Sequence, residues 1–210
     1  MKPIIFCNIA YMKYYKGKID GIDVPENGGA DVNIYNDANE EYNFITEYLE
    51  EYKEFFCLGY VRPSTPSKNT TSQIHLEKIN GCELFKNKES VSGITVVWCA
   101  KSKKIDGTRV VGWYKDATVY RNPQYLYDKY EYRVKDKKEN CVLLPERERF
   151  LSKWIVPRKG HNRYDFGFGQ SNVWFAQDQE TERGLKQYLE KLLSQIENYN
   201  GENWIDKEAE

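Results

Sequence analysis

The sequence lacks the residue patterns from which disulfide scaffolds and metal centres are usually built. Its five cysteines form no Cys-x-x-Cys pair, and it contains only two histidines, His75 and His161. An odd number of scattered thiols argues against a disulfide framework and against structural zinc. We therefore expect buried free thiols in a reducing compartment, with no metal and no cofactor.

Long apolar runs are missing as well. No stretch approaches the roughly 20 apolar residues of a membrane helix, and the mean hydropathy is −0.78. The apolar run at residues 4–10 is too short, and no secretory cleavage pattern follows it. These features predict a cytoplasmic protein without a membrane partner.

Aromatic residues are abundant instead. The 210 residues include 5 Trp, 17 Tyr and 9 Phe, so rings must supply much of the core. The length suits one domain, and no linker or internal repeat divides the chain. We expect residues 1–210 to form a single domain with peripheral loops.

The net charge of −1 conceals an uneven distribution. Residues 101–163 carry 17 Lys and Arg against 8 Asp and Glu, whereas the flanking segments 1–100 and 164–210 are acidic. A basic segment interleaved with Trp and Tyr is typical of proteins that contact phosphates and stack bases. The alternative is a solvated face that the acidic segments neutralise in space.

Hydrophobic periodicity predicts an α+β fold with a mostly antiparallel sheet. Strands are expected at residues 3–10, 55–62, 94–101 and 108–121, and a further hairpin at 129–134 and 141–144. A surface loop is expected at 63–72, which is rich in Pro, Ser, Thr and Asn.

Two segments have the 3.6-residue spacing of amphipathic helices. Apolar residues from Leu185 to Ile196 predict a long C-terminal helix. Asp178 or Thr181 could cap this helix, and Gly201 could end it. A second helix is predicted at 40–52, where one face carries Tyr42, Ile45, Tyr48, Leu49 and Tyr52.

A central hairpin is the first candidate site. Residues 96–100 and 110–114 are joined through Asp106-Gly107, which is a strong hairpin signal. Gly112 removes a side chain beside two rings, which makes room for a flat ligand. The alternative is that Trp98 and Trp113 are core rings and that Gly112 marks a bulge.

The second candidate site is the segment 157–176. Gly167 and Gly169 precede Gln170, Ser171 and Asn172, and these small polar groups could read a base edge while Trp174 stacks on the base. The alternative is a loop-to-helix connection that Trp174 anchors. Asn8, inside an apolar strand, must bond a ligand or a neighbouring backbone group, and we favour the backbone.

Residues 94–122 resemble the core hairpin of PUA-like domains, and the nearest types are EVE and YTH domains. Residues 171–176, followed by a helix, are similar to the YTH stretch that supplies one wall of an aromatic cage. In YTH domains that stretch precedes the hairpin, whereas here it follows it.

The resemblance implies a PUA-like β-barrel with two or three packed helices that recognises a modified or flipped base in an aromatic cage. The expected partner is DNA or RNA, with a separate nuclease subunit as an optional second partner. The implied base-binding residues are Trp98, Trp113, Tyr114, Tyr120, Ser171, Asn172, Trp174 and Asn8. The implied phosphate-binding residues are Arg109, Lys115, Arg121, Arg158 and Lys159.

Motifs of catalysis are weak in this sequence. It contains no nucleophile elbow, P-loop, His-Glu-x-x-His or dinucleotide fingerprint, so binding is expected rather than catalysis. The first alternative is a nuclease, or another nucleic-acid-processing enzyme, that uses carboxylates beside the basic groove. The second is a protein-interaction module that uses exposed aromatic residues.

Overall fold

The structure is a computed structural model that describes residues 1–27, 39–63, 72–127, 130–160, 164–177, 179 and 181–210. Most of the predicted loop at 63–72, and the predicted cap Asp178, lie outside these ranges.

In the described part of the chain, nine strands form one sheet, and all but one of their pairings are antiparallel. The pairing order is β2-β3-β6-β5-β4-β1-β9, and β7 and β8 also pair with β5. The fold class is therefore mixed α+β with a mostly antiparallel sheet, as predicted, but closure into a barrel is not found among the described strands. The strands are β1 (Ile4–Asn8), β2 (Thr46–Leu49), β3 (Glu54–Gly59), β4 (Ser90–Ala100), β5 (Thr108–Leu126), β6 (Tyr130–Lys137), β7 (Cys141–Leu143), β8 (Ile155–Val156) and β9 (Val173–Trp174).

Strand β5 is central to the sheet because other strands pair along the length of both its edges. β4 forms the predicted hairpin with it on one side, and β6, β7 and β8 follow one another along the other side. The predicted hairpin between 129–134 and 141–144 is therefore wrong. β6 continues through the expected turn to Lys137, and both segments pair with β5, which buries Val134 and Leu143.

Alternation along the central strands separates two clusters of buried side chains. Trp98 and Tyr114 belong to one cluster, whereas Val97 and Trp113 belong to the other. This division follows from the period of two in a strand. Each of these four side chains is therefore part of the interior.

Among the described residues, two α-helices accompany the sheet, α1 (Glu146–Arg149) and α2 (Leu185–Glu197). α2 confirms the predicted C-terminal helix and buries its apolar stripe in the second cluster. Its N-cap is Gly184, in the left-handed conformation with φ +83° and without a side-chain cap, so Thr181 does not cap it. Its C-cap is Asn198, three residues before the predicted Gly201.

The predicted helix at 40–52 is wrong. Residues Asn39–Tyr42 form a single 3₁₀ turn, and the following residues form β2, which pairs with β3. Tyr48 and Tyr52 remain exposed, so the apolar stripe is not a buried face. The pairing with β3 satisfies backbone groups that a short isolated helix would leave open.

All five cysteines are free and buried, as expected. Within the described ranges, no helix has both the length and the apolar character needed to cross a bilayer.

Candidate nucleic-acid interface

The rings of the central hairpin lie inside the protein. Trp98, Trp113 and Tyr114 are fully buried. The space beside Gly112 is filled by the protein itself, because a Cβ there would lie 2.6 Å from Cζ of Phe44. These three rings therefore present no surface to a base, and Gly112 serves internal packing rather than ligand entry. Tyr120, by contrast, is half-buried and contacts Tyr132 edge to face at 5.8 Å.

Arg121 is also used internally. Its guanidinium donates to the carboxylate of Glu77 at 2.9 Å and to the carbonyls of Phe85, Lys86 and Lys88 at 2.6–3.0 Å. These bonds use its donors to fasten residues 77–88 to β5. They leave Arg121 without the role of phosphate ligand that the resemblance implied.

Among the described residues, nine basic side chains from 101–163 pair with carboxylates, and six of these carboxylates belong to the flanking acidic segments, which is the alternative that the charge distribution left open. Lys115 and Lys159, both implied phosphate ligands, are among them. The pairs are Lys104–Glu146, Lys115–Glu197, Arg121–Glu77, Arg133–Glu131, Lys137–Glu54, Lys138–Asp206, Arg147–Glu202, Lys153–Glu148 and Lys159–Glu182.

The remaining positive charge concentrates at the turn between β4 and β5. Lys101, Arg109 and Arg158 line a cavity of about 560 Å³ there, and Asp106 is the one carboxylate among its described lining residues. Within the described part of the chain, Lys101 forms no ion pair. We call this cavity, defined by these four residues, the basic cavity.

Arg109 is the most constrained residue of the basic cavity. It is only 8% exposed, and it lies opposite Ala100 at the start of β5. Its Nη1 donates to the Thr108 carbonyl at 3.3 Å, whereas its buried Nε has no hydrogen-bond partner. Burial lowers the pKa of Arg109, and the charge of Asp106 opposes that shift. Because Arg109 lines the cavity, its guanidinium can offer charge-assisted donors to an anionic oxygen there.

Arg158 is held at the cavity by a short paired segment. The Phe168 N–H donates to the Pro157 carbonyl at 3.0 Å, and the Arg158 Nη1 donates to the Gly169 carbonyl at 3.0 Å. Gly167 has φ +118° and lies so close to the Pro157 carbonyl that a Cβ would overlap it. This glycine therefore permits the close approach that positions Arg158.

Four of the implied base-binding residues meet where β1 pairs with β9. The Asn8 N–H donates to the Asn172 carbonyl at 2.7 Å, and Trp174 stacks on Phe6 with 4.5 Å between centroids. Ser171 Oγ accepts a bond from the Val173 N–H at 3.1 Å. These residues come from opposite ends of the chain, and the sheet brings them together.

The β1–β9 edge and the basic cavity lie at the same end of the sheet. Asn8 is opposite Cys99, and Arg109 is opposite the next residue of β4, Ala100. Arg158 and Asn172 are linked through residues 167–171. Two implied phosphate ligands and four implied base-binding residues thus share one region.

Comparison with protein families, curated proteins and solved structures finds no match for this chain. The PUA-like resemblance accordingly stays a prediction.

The sequence analysis did not predict Lys101 or Asp106 as site residues of the basic cavity, nor Tyr164, which also lines it. Lys101 directly follows β4 and precedes the Asp-Gly turn. This position in the sequence could have identified it as a residue near the turn. Tyr164 lies in a segment without clear periodicity, and no sequence signal places it there. Among the described residues, no group of three or more His, Cys, Asp and Glu side chains is placed to hold a metal ion.

Proposed function

We propose that this chain is a nucleic-acid-binding module that holds phosphate groups at the basic cavity. The observation that carries the proposal is the convergence of Lys101, Arg109 and Arg158 on one cavity, while nine other described basic residues of 101–163 pair with carboxylates. Charge-assisted bonds from guanidinium groups are a main way in which proteins bind phosphate.

The base is proposed to bind beside the β1–β9 edge, as a modified or flipped base in a PUA-like arrangement. Trp174 is half-buried, as are Ser171 and Asn172, so each keeps a surface that a ligand can contact. Stacking on an aromatic ring contributes about 1–3 kcal/mol per base, which is comparable with the few kcal/mol that extruding a base costs. Both DNA and RNA carry the phosphates and bases that these contacts require. The proposal is also compatible with a cytoplasmic module that works with a separate nuclease subunit.

Fluorescence polarisation with labelled DNA and RNA oligonucleotides tests the phosphate contacts. Arg158→Gln and Lys101→Gln should each weaken binding several-fold and lower the slope of log Kd against log salt by about one. Arg147→Gln is the matched control, because Arg147 is an exposed arginine that pairs with Glu202. Absence of wild-type binding at low salt, or an equal loss in the control, would overturn the proposal.

The base site is tested separately with oligonucleotides that carry plain, methylated or hydroxymethylated bases. Trp174→Leu and Asn172→Ala should remove any preference for one base and leave the salt slope unchanged. Tyr125→Leu, which changes an exposed ring on another part of β5, is the control. Unchanged base preference in both variants would contradict the β1–β9 site.

Protein interaction is a second candidate function, because exposed rings gather at the edge of the sheet. Tyr48 is 40% exposed and Phe55 is 51% exposed, on neighbouring strands of the β2–β3 hairpin. β2 ends the pairing order, so its outer backbone groups face no described strand. Binding to a protein through these rings would weaken little with salt, unlike phosphate binding.

The nuclease alternative depends on Asp106, the acidic side chain at the basic cavity. Cleavage that requires a divalent metal ion and is lost in Asp106→Asn would favour this alternative over a binding module.

A further inference from the structure

A second cavity lies at the far end of β5 from the basic cavity. It has a volume of about 290 Å³ and is reached by Leu126, the last residue of β5. Its other walls come from the 3₁₀ turn before β2, from β2, from β3 and from β6. The side chains that carry its chemistry are Tyr42, Tyr130, Tyr132, Glu47 and Glu131. We call it the tyrosine cavity.

Two rings of the tyrosine cavity stand at a steep angle to each other. Tyr42 and Tyr130 have centroids 5.7 Å apart and planes inclined at 74°, so they form two adjacent walls. Tyr132 supplies a third ring, which contacts Tyr120 edge to face at 89°. The faces of aromatic rings carry negative electrostatic potential and attract cations within about 6 Å of the centroid.

The charged side chains of the tyrosine cavity also favour a cation. Among the described residues, none of its lining side chains is basic. Glu131 lies 3.7 Å from the guanidinium of Arg133, whereas Glu47 forms no ion pair within the described chain. A cation that entered would meet the Glu47 carboxylate, with which no described basic side chain pairs. Lys135, which is not part of the lining, acts electrostatically on Tyr132.

We propose that the tyrosine cavity binds an alkylated ammonium group. The methyl groups of such a cation contact ring faces and aliphatic side chains such as Leu58, and it needs few or no hydrogen-bond acceptors. A bare ammonium is more strongly hydrated and loses more on entry. The volume is near the lower limit of small-molecule sites, which suits a head group of this size. This inference does not rest on the proposed function.

The probe that tests it is choline, compared with its neutral carbon isostere 3,3-dimethylbutan-1-ol by isothermal titration calorimetry. Choline should bind saturably, and the isostere at least ten-fold more weakly, because it has the shape without the charge. A short peptide that contains trimethyl-lysine is titrated as well. It shows whether the cavity takes the alkylated ammonium group from a protein chain or from a free small molecule. Binding of either cation supports the proposal, and binding of neither overturns it.

Variants distinguish the tyrosine cavity from other surfaces. Glu47→Gln and Tyr130→Leu should each weaken choline binding at least five-fold, whereas Tyr130→Phe should retain most of it because the ring face remains. Glu50→Gln and Phe55→Leu change exposed residues outside the cavity and serve as controls. Circular dichroism confirms that each variant is folded. Equal binding of choline and its isostere, or unchanged binding in Glu47→Gln and Tyr130→Leu, would contradict the assignment.

Discussion

At the scale of single residues, Arg149 shows how a buried charge can organise a loop. It is fully buried, and it donates to the carbonyls of Leu144, Met12 and Lys13 at 2.6–2.7 Å. The residue therefore ties the N-terminal loop to the segment around α1. Removing its donors would leave three inward-facing carbonyls without partners, each at a cost of about 1–3 kcal/mol.

We expect Arg149→Met to lower the free energy of unfolding by at least about 3 kcal/mol, as measured by urea denaturation. The matched control is Arg147→Met, because Arg147 lies in the same helix with an exposed side chain that pairs with Glu202. That change should cost no more than about 0.5–1 kcal/mol. Similar losses in both variants would show that the buried hydrogen bonds are not what stabilises this loop.

We expect the free energy of unfolding to depend on pH through Glu40. Burial raises the pKa of Glu40 from its ordinary value of 4.5 to about 7, and the charge of Glu41 acts in the same direction. The folded state therefore retains a proton that the unfolded state releases. The resulting stabilisation is present below pH 4.5 and is lost as the pH rises through 7. Its size is on the order of 3 kcal/mol.

Urea denaturation at several pH values between 4 and 8 measures this effect. Glu40→Gln should remove this part of the pH dependence, whereas Glu50→Gln, which changes an exposed residue, should retain it. If the free energy of unfolding of Glu40→Gln changes with pH as steeply as that of the wild type, other groups cause the pH dependence.

At the scale of elements, the segment that carries Arg158 depends on Gly167. In Gly167→Ala, the positive φ and the nearby Pro157 carbonyl both oppose the new Cβ. We expect a loss of about 1–3 kcal/mol in unfolding free energy and weaker oligonucleotide binding, because Arg158 would be displaced. Gly169→Ala is the control, since a Cβ there meets no atom within 4 Å. Equal effects of the two substitutions would contradict this role.

Strands and helices were predictable from the sequence where the local hydrophobic pattern agrees with the packing in the folded protein. The β4–β5 hairpin has alternating apolar residues and an Asp-Gly turn, and α2 has an apolar stripe that its neighbours bury. At 40–52 the spacing fits a helix, but pairing between β2 and β3 takes precedence. Local periodicity contains no information on that partner, which is why the prediction there was wrong.

The candidate sites were less predictable than the elements. Arg109 and Arg158 are 49 positions apart in the chain, and only the pairing of β8 with β5 brings them to one cavity. The tyrosine cavity draws Tyr42 and Tyr130 from separate parts of the chain in the same way. Composition revealed that rings and basic residues were abundant, but not which of them remain accessible.

At the scale of the whole molecule, folding redistributes charge that the sequence places in one segment. Many basic residues of 101–163 pair with carboxylates from the acidic segments. What remains is a positive cavity at the start of β5 and a negative one at its end. The two ends of this strand therefore favour ligands of opposite charge.

This separation predicts that an oligonucleotide and choline bind independently. Among the described residues, the two cavities share none in their linings, and at physiological salt the Debye length is only about 8 Å. Saturating choline chloride should therefore change the oligonucleotide Kd by less than about two-fold, which is within the additivity expected for independent sites. Sodium chloride at equal concentration serves as the control, because choline chloride also raises the ionic strength. Competition beyond that control would mean that one cavity takes both ligands, and the assignment of opposite charge preferences to the two ends of β5 would then fail.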